Sequence, residues 1–254
     1  MQCKHSITAL GAVLFLSCSL AAQENAGNIL TLEFQKPKNG MISQYEAGRK
    51  QKAAWHKQQN DSEPLMVWEV LSGENTGTYV VGRVGQHWAD MDKPSVPEAS
   101  DLAEYQKAVG NYVDSLVTRY YEYLRKVSNP DGSKMPSKYA EVLTFHVRYG
   151  KGPDFRAAID QICQATQKTK WPLNYEWYDL VSGGPTGVFV LVLPHKSWAD
   201  FEDKPDVKPF REMLKDAFGQ AQADSIVNRL NDSVQTEMSE IIQFRPDLSY
   251  VPSK

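Results

Sequence analysis

Apolar and polar residues alternate from Ile29 to Gln35, with Leu30, Leu32 and Phe34 on one face and Thr31, Glu33 and Gln35 on the other. That period of two predicts a half-buried strand. Glu141 to Tyr149 repeats it, Leu143, Phe145, Val147 and Tyr149 opposing Val142, Thr144, His146 and Arg148. A helical period follows each strand. Over residues 154–168, Phe155, Ala158, Ile159, Ile162 and Cys163 form one apolar stripe, and a helix over about residues 41–58 takes the same place in the first half. Two strands then flank a short turn in each half. They are Leu65 to Leu71 and Thr78 to Val84 around Ser72-Gly73-Glu74-Asn75-Thr76-Gly77, and Tyr175 to Val181 and Val188 to Leu193 around Ser182-Gly183-Gly184-Pro185-Thr186-Gly187. Glycines at both ends of so short a loop predict hairpins. Finally Val113, Leu116, Val117, Tyr120, Leu124 and Val127, and in the second half Ile226, Leu230, Val234, Met238, Ile241 and Ile242, fall at helical spacing and predict a long last helix.

The order strand, helix, strand, strand, helix thus occurs twice, and residues repeat with it at an offset of 110. Ser72-Gly73, Thr76-Gly77 and Trp88-Ala89-Asp90 return as Ser182-Gly183, Thr186-Gly187 and Trp198-Ala199-Asp200. Asp114-Ser115-Leu116-Val117-x-Arg119 returns as Asp224-Ser225-Ile226-Val227-x-Arg229. Residues 129–138 are mostly turn formers and divide a first repeat at 28–128 from a second at 139–254. A βαββα unit covers one sheet face with helices and leaves the other bare, so two such units in one chain are expected to pack sheet to sheet.

On that element order and the Trp-Ala-Asp after each third strand, the chain resembles the dimeric α+β barrel superfamily of ferredoxin-like domains in a fused tandem form, most of all its NIPSNAP and EthD-type members. The resemblance implies an α+β fold, two tandem ferredoxin-like βαββα repeats closing an intramolecular barrel, and therefore a monomer or weak homodimer. The superfamily contains cofactor-free monooxygenases, haem enzymes and proteins without an assigned role, so it implies no single chemistry. A haem would need His87, His146 or His195 as its axial ligand, but there is no Cys-x-x-Cys-His. No His or Cys pair stands at metal-ligand spacing, so neither cofactor nor metal is expected.

Composition narrows the partners. Lys4, the apolar run Ile7 to Leu16 and Ser19-Leu20-Ala21-Ala22 read as a signal peptide over residues 1–22, implying an exported protein, periplasmic or secreted. Lipid attachment at Cys18 is the rival, with Phe15-Leu16-Ser17-Cys18 a poor match to a lipoprotein box. No later segment is apolar enough to span a bilayer, so no membrane partner is expected after signal removal. Without Lys4, 27 basic residues face 31 acidic ones, which gives nucleic acid no cationic surface to neutralise its phosphates. Cys3 and Cys18 lie in the leader, and Cys163, on the apolar stripe, reads as a small core residue.

Seven residues are candidates for binding a ligand. Trp88 and Trp198 either wall a cavity or plug the core end, their Asp neighbours capping the following turn. Arg49 and Lys52 stand at the offset of Ile159 and Ile162, so with His56 they either lie under their helix as an anion site or, if the helix is rotated, form a solvated face. His146 and Arg148 share a strand face and are expected to meet Glu33, Glu69, Asp179 or Arg83 in a polar interior. The reading is an exported protein binding a small, partly apolar molecule. Two alternatives stand beside it: a cofactor-independent monooxygenase or isomerase with His146 or His56 as base, and a structural or partner-binding module without a ligand.

Overall fold

The computed structural model describes residues 26–133 and 135–252, and the expected signal peptide lies outside them. Eight strands close one antiparallel barrel. Around it run β1 (Ile29–Pro37), β3 (Tyr79–Gln86), β2 (Met66–Val70), β8 (Val234–Phe244), β5 (Tyr139–Val147), β7 (Val188–His195), β6 (Glu176–Ser182) and β4 (Val113–Tyr123), which returns to β1. Helices α1 (Ile42–Gln58) and α2 (Glu98–Ala108) cover the first repeat's part of the barrel; α3 (Gly152–Thr169), α4 (Phe210–Phe218) and α5 (Gln220–Ser233) cover the second's. The α+β barrel read from the sequence is the fold found.

The predicted long last helices are corrected. The first repeat is βαββαβ and the second βαββααβ: the last helix of each ends early, at Ala108 or Ser233, and a strand follows it. Val113 to Tyr123 satisfies helical spacing only by counting both of its faces. It is rich in Val and Tyr, and as β4 it pairs with β1 along nearly its whole length. The Asp-Ser-x-Val-x-Arg recurrence is therefore not a structural repeat, since its first copy lies in β4 and its second in α5. An added helix in the second repeat displaces the counterpart of β4 to β8. There Ile226, Val227 and Leu230 find an apolar partner face in Met213, Leu214 and Ala217, which the first repeat lacks.

The last strand of each repeat completes the other repeat's sheet, β4 beside β6 and β8 beside β2. The chain then continues across that neighbour. Asn129 bridges to Tyr175 and, symmetrically, Tyr250 bridges to Leu65. The Ser128 and Ser249 hydroxyls accept the Trp177 and Val67 N–H groups at 2.8 and 2.9 Å. Gly48 lets α1 and α2 touch, for a Cβ there would lie 1.9 Å from the Ala108 carbonyl oxygen.

Strand register decides what lies under each helix layer. In β1 the apolar row Leu30, Leu32 and Phe34 points into the barrel, meeting Tyr121, Val142, Tyr178, Leu180, Val190 and Val192. In β5 the apolar row is the opposite one: Leu143, Phe145 and Val147 point outward beneath α3, packing with Phe155, Ile159, Trp177 and Phe189. A one-residue change of pattern exchanges the faces of a strand. Consequently β1 offers Thr31, Glu33 and Gln35 to α1 where β5 offers hydrocarbon to α3.

Candidate functional site

The underside of α1 answers that polar row with charge. Arg49 and Lys52 are 2 % exposed and His56 1 %. The structure thus selects the buried reading over the solvated one: all three lie on the stripe facing the barrel. Tyr45, also enclosed, donates its hydroxyl to Gln35 Oε1 at 2.9 Å, and the Gln35 amide donates to Glu33 at 2.6 Å. Burial raises the Tyr45 phenol well above its usual pKa, against the lowering influence of Arg49.

Lys52 donates to the Asp101 carboxylate at 2.7 Å and to its carbonyl at 3.0 Å, lying 4.0 Å from the centre of the Trp55 ring. Desolvation lowers the Lys52 pKa, with Asp101 opposing the shift. His56 Nδ1 lies 2.8 Å from Asp61 Oδ2. An ionised carboxylate only accepts, so Nδ1 carries the proton and Nε2 the lone pair. Nε2 is 3.4 Å from Asp101 and has no hydrogen-bond partner. Desolvation foremost, then the Lys52 charge, pulls the imidazole down to about 4, so it is neutral at pH 7.

Asp61 is a hub that the sequence does not single out. Burial works to raise its pKa, but hydrogen bonds from the Ser95 hydroxyl and the Glu63 N–H, with the charge of Arg83, hold it below the usual value. Arg83 reaches Asp61 at 3.3 Å and Glu63 at 3.2 Å. Tyr250, from the second repeat, donates to the Asp61 carbonyl at 2.6 Å and stacks on His56 at 5.9 Å between ring centres. The site is therefore built by both repeats. Its edge at Asp101 is partly open to solvent. Arg49 stands apart from these pairs, its Nε and Nη2 both buried with no hydrogen-bond partner.

The other candidates do not join this group. Trp88 and Trp198 are 52 % and 53 % exposed and plug no core; they pack on Tyr120 and Tyr139 at 5.5 and 4.8 Å. The capping roles of their neighbours are present, Asp90 accepting the His87 N–H at 2.7 Å and Asp200 the Ser197 N–H at 3.1 Å. Arg148 lies past the end of β5 in an exposed turn, while His146 faces the barrel interior. The expected meeting of these two with Glu33, Glu69, Asp179 and Arg83 is overturned. Those four face outward, Glu69 accepting from Arg245 at 2.7 Å and Asp179 from Arg156. The three histidines suggested for haem do not fit one: His195 lies flat on Phe201 at 3.9 Å, His146 faces a barrel interior into which Leu30, Leu32, Phe34 and Tyr121 also point, and His87 begins an exposed turn. Two surface grooves of about 510 and 590 Å³ lie against α5 and α3, and none of the seven candidates lines either.

No family model matches the chain, and no curated protein does. Solved structures share its fold. A candidate monooxygenase from Fusobacterium nucleatum superposes with a TM-score of 0.56 at 9 % identity, covering 86 % of this chain and 93 % of that one. Another from Lactobacillus acidophilus gives 0.55 at 5 % identity over 89 % and 97 %. A mutant chlorite dismutase from Candidatus Nitrospira defluvii gives 0.51 at 11 % identity over 87 % and 92 %. At these identities the likeness establishes an α+β barrel of the ferredoxin-like kind. Among the described residues no helix is long and apolar enough to cross a membrane.

Proposed function

We propose that this chain is an exported α+β-barrel protein that holds a small, partly apolar molecule in the helix–sheet layer of its first repeat. One observation carries the reading: Arg49 and Lys52 are buried where the second repeat packs Ile159 and Ile162, and His56 is buried where it has the uncharged Thr166. Enclosing charge costs several kcal/mol per ion after relaxation, and an apolar replacement is often the more stable choice. The second repeat made that choice on the same scaffold. A ligand gives the first a reason to differ, and candidate monooxygenases among the fold's relatives accord with a barrel that takes small substrates. Export rests on Lys4, the run Ile7 to Leu16 and the small residues before Gln23, and the NIPSNAP/EthD kinship on the two Trp-Ala-Asp turns.

Mass spectrometry of small molecules released from natively purified protein tests the binding role. A stoichiometric compound is expected from the intact chain and is lost in the Arg49→Met/Lys52→Met double variant. A folded intact chain that releases nothing and is stabilised by no member of a small-metabolite panel refutes it.

A second reading, proton transfer without a cofactor, is favoured by the His56–Asp61 pair. A carboxylate holding Nδ1 and leaving Nε2 basic is the arrangement of a general base. If the released compound is converted by the intact chain and not by His56→Gln, the protein is an enzyme; equal conversion removes His56 from that role.

A further inference from the structure

The ionic groups around α1 are satisfied in sets, with one exception. Lys52 is matched by Asp101, Arg83 by Asp61 and Glu63, and Glu33 takes the Gln35 amide. Arg49 is among the largest fully enclosed side chains of the protein, and its Nε and Nη2 have no acceptor. These two atoms are not a random pair. In a guanidinium, Nε–H and the N–H of Nη2 lie parallel along one edge, the fork that receives both oxygens of a carboxylate. Leaving buried charged donors unmatched is costly, so an acceptor of matching geometry relieves that cost on binding.

Resting on the binding role proposed above, we infer that Arg49 anchors the carboxylate of a monocarboxylic acid whose apolar body lies along the tyrosine-rich face of the same layer. The fork selects a carboxylate: its two parallel donors match the two oxygens of one planar group, and the second charge of a phosphate dianion would add to those of Glu33, Asp61 and Glu63 with no second free cation among the described residues of that layer to offset it. The apolar body follows from the surroundings. Tyr45 and Tyr105 are close enough to feel the Arg49 charge, and they belong to a cluster with Val67, Tyr79, Val81, Ala108 and Val109. Lys cannot reproduce the fork, so Arg49→Lys keeps the charge and loses the geometry.

Thermal unfolding with two acids, benzoate and octanoate, and their neutral counterparts, benzamide and octanol, tests this. At least one acid raises the melting temperature of the intact chain and neither neutral compound does. Arg49→Lys binds that acid roughly tenfold more weakly or worse, through loss of a bidentate charged contact. Arg49→Met abolishes the shift and, without ligand, melts higher than the intact chain, because an unmatched buried charge has been exchanged for hydrocarbon of similar length. A lower melting point for ligand-free Arg49→Met overturns the inference by making Arg49 a structural partner, of Glu33 for example. Equal shifts from acids and neutral compounds, or no shift from any of the four, overturn it too. A neutral compound released from the native protein would overturn the anchor while leaving the binding role intact.

Discussion

An imidazole enclosed between two carboxylates and near two cations, as His56 is, stays uncharged over the whole neutral range because burial and the cations outweigh Asp101 and Asp61. Its pKa falls from 6.5 in the unfolded chain to about 4 in the folded one, so between those values the unfolded state binds a proton that the folded state does not. Stability therefore rises with pH across that window and is lost as pH falls from 6.5 towards 4, by up to roughly 3 kcal/mol at about 1.4 kcal/mol per unit. Asp61 adds acid sensitivity separately, its depressed pKa placing the loss below 3.8. Urea titrations at pH 4.5, 5.5, 6.5 and 7.5 are expected to show this slope in the intact chain and a flatter one in His56→Gln. Parallel slopes would mean that His56 binds its proton over the same pH range in the folded and the unfolded chain.

At the scale of elements, β1 with α1 and β5 with α3 are one architecture with two kinds of interior. Exchanging a residue between them exposes the difference. Ile159→Arg places a cation among Phe145, Phe155 and Trp177, with no polar row on β5 to receive it, and is expected to cost about 3–5 kcal/mol or to prevent folding. A loss under 1 kcal/mol in denaturant titration would show that α3 rotates its charge to solvent, and would weaken the case that burial of Arg49 is imposed by the scaffold. The elements were unequally legible in the sequence. The alternation of β1 and the stripe of α3 are visible because one face of each is apolar. The polar underside of α1 shows only as Arg49 and Lys52 standing where Ile159 and Ile162 stand. For β4 and β8 the spacing of the apolar residues suits a helix as well as a strand, and only the neighbouring strands decide.

Across the whole molecule, the exchange of β4 and β8 between repeats gives the barrel no free strand edge and ties each repeat's outer layer to the other's chain. A closed barrel has no edge left to pair with a second copy. Light scattering is accordingly expected to give a monomer, and calorimetry a single cooperative transition. A concentration-dependent dimer, or two resolved transitions, would show that the seams β2–β8 and β4–β6 are weaker than the sheets they join.

The sequence by itself determined the doubled strand-and-helix plan, the hairpins and the odd charges of α1, because periodicity and turn chemistry are local properties of the chain. Only the tertiary structure decided that Arg49, Lys52 and His56 lie inside, that Asp61, Asp101 and Tyr250 surround them, and that His146 and Arg148 do not. Those partners are separated along the chain by up to nearly the length of both repeats. They meet because strand register sends β1's polar row outward and barrel closure carries the second repeat's end across the first. No local pattern encodes either event.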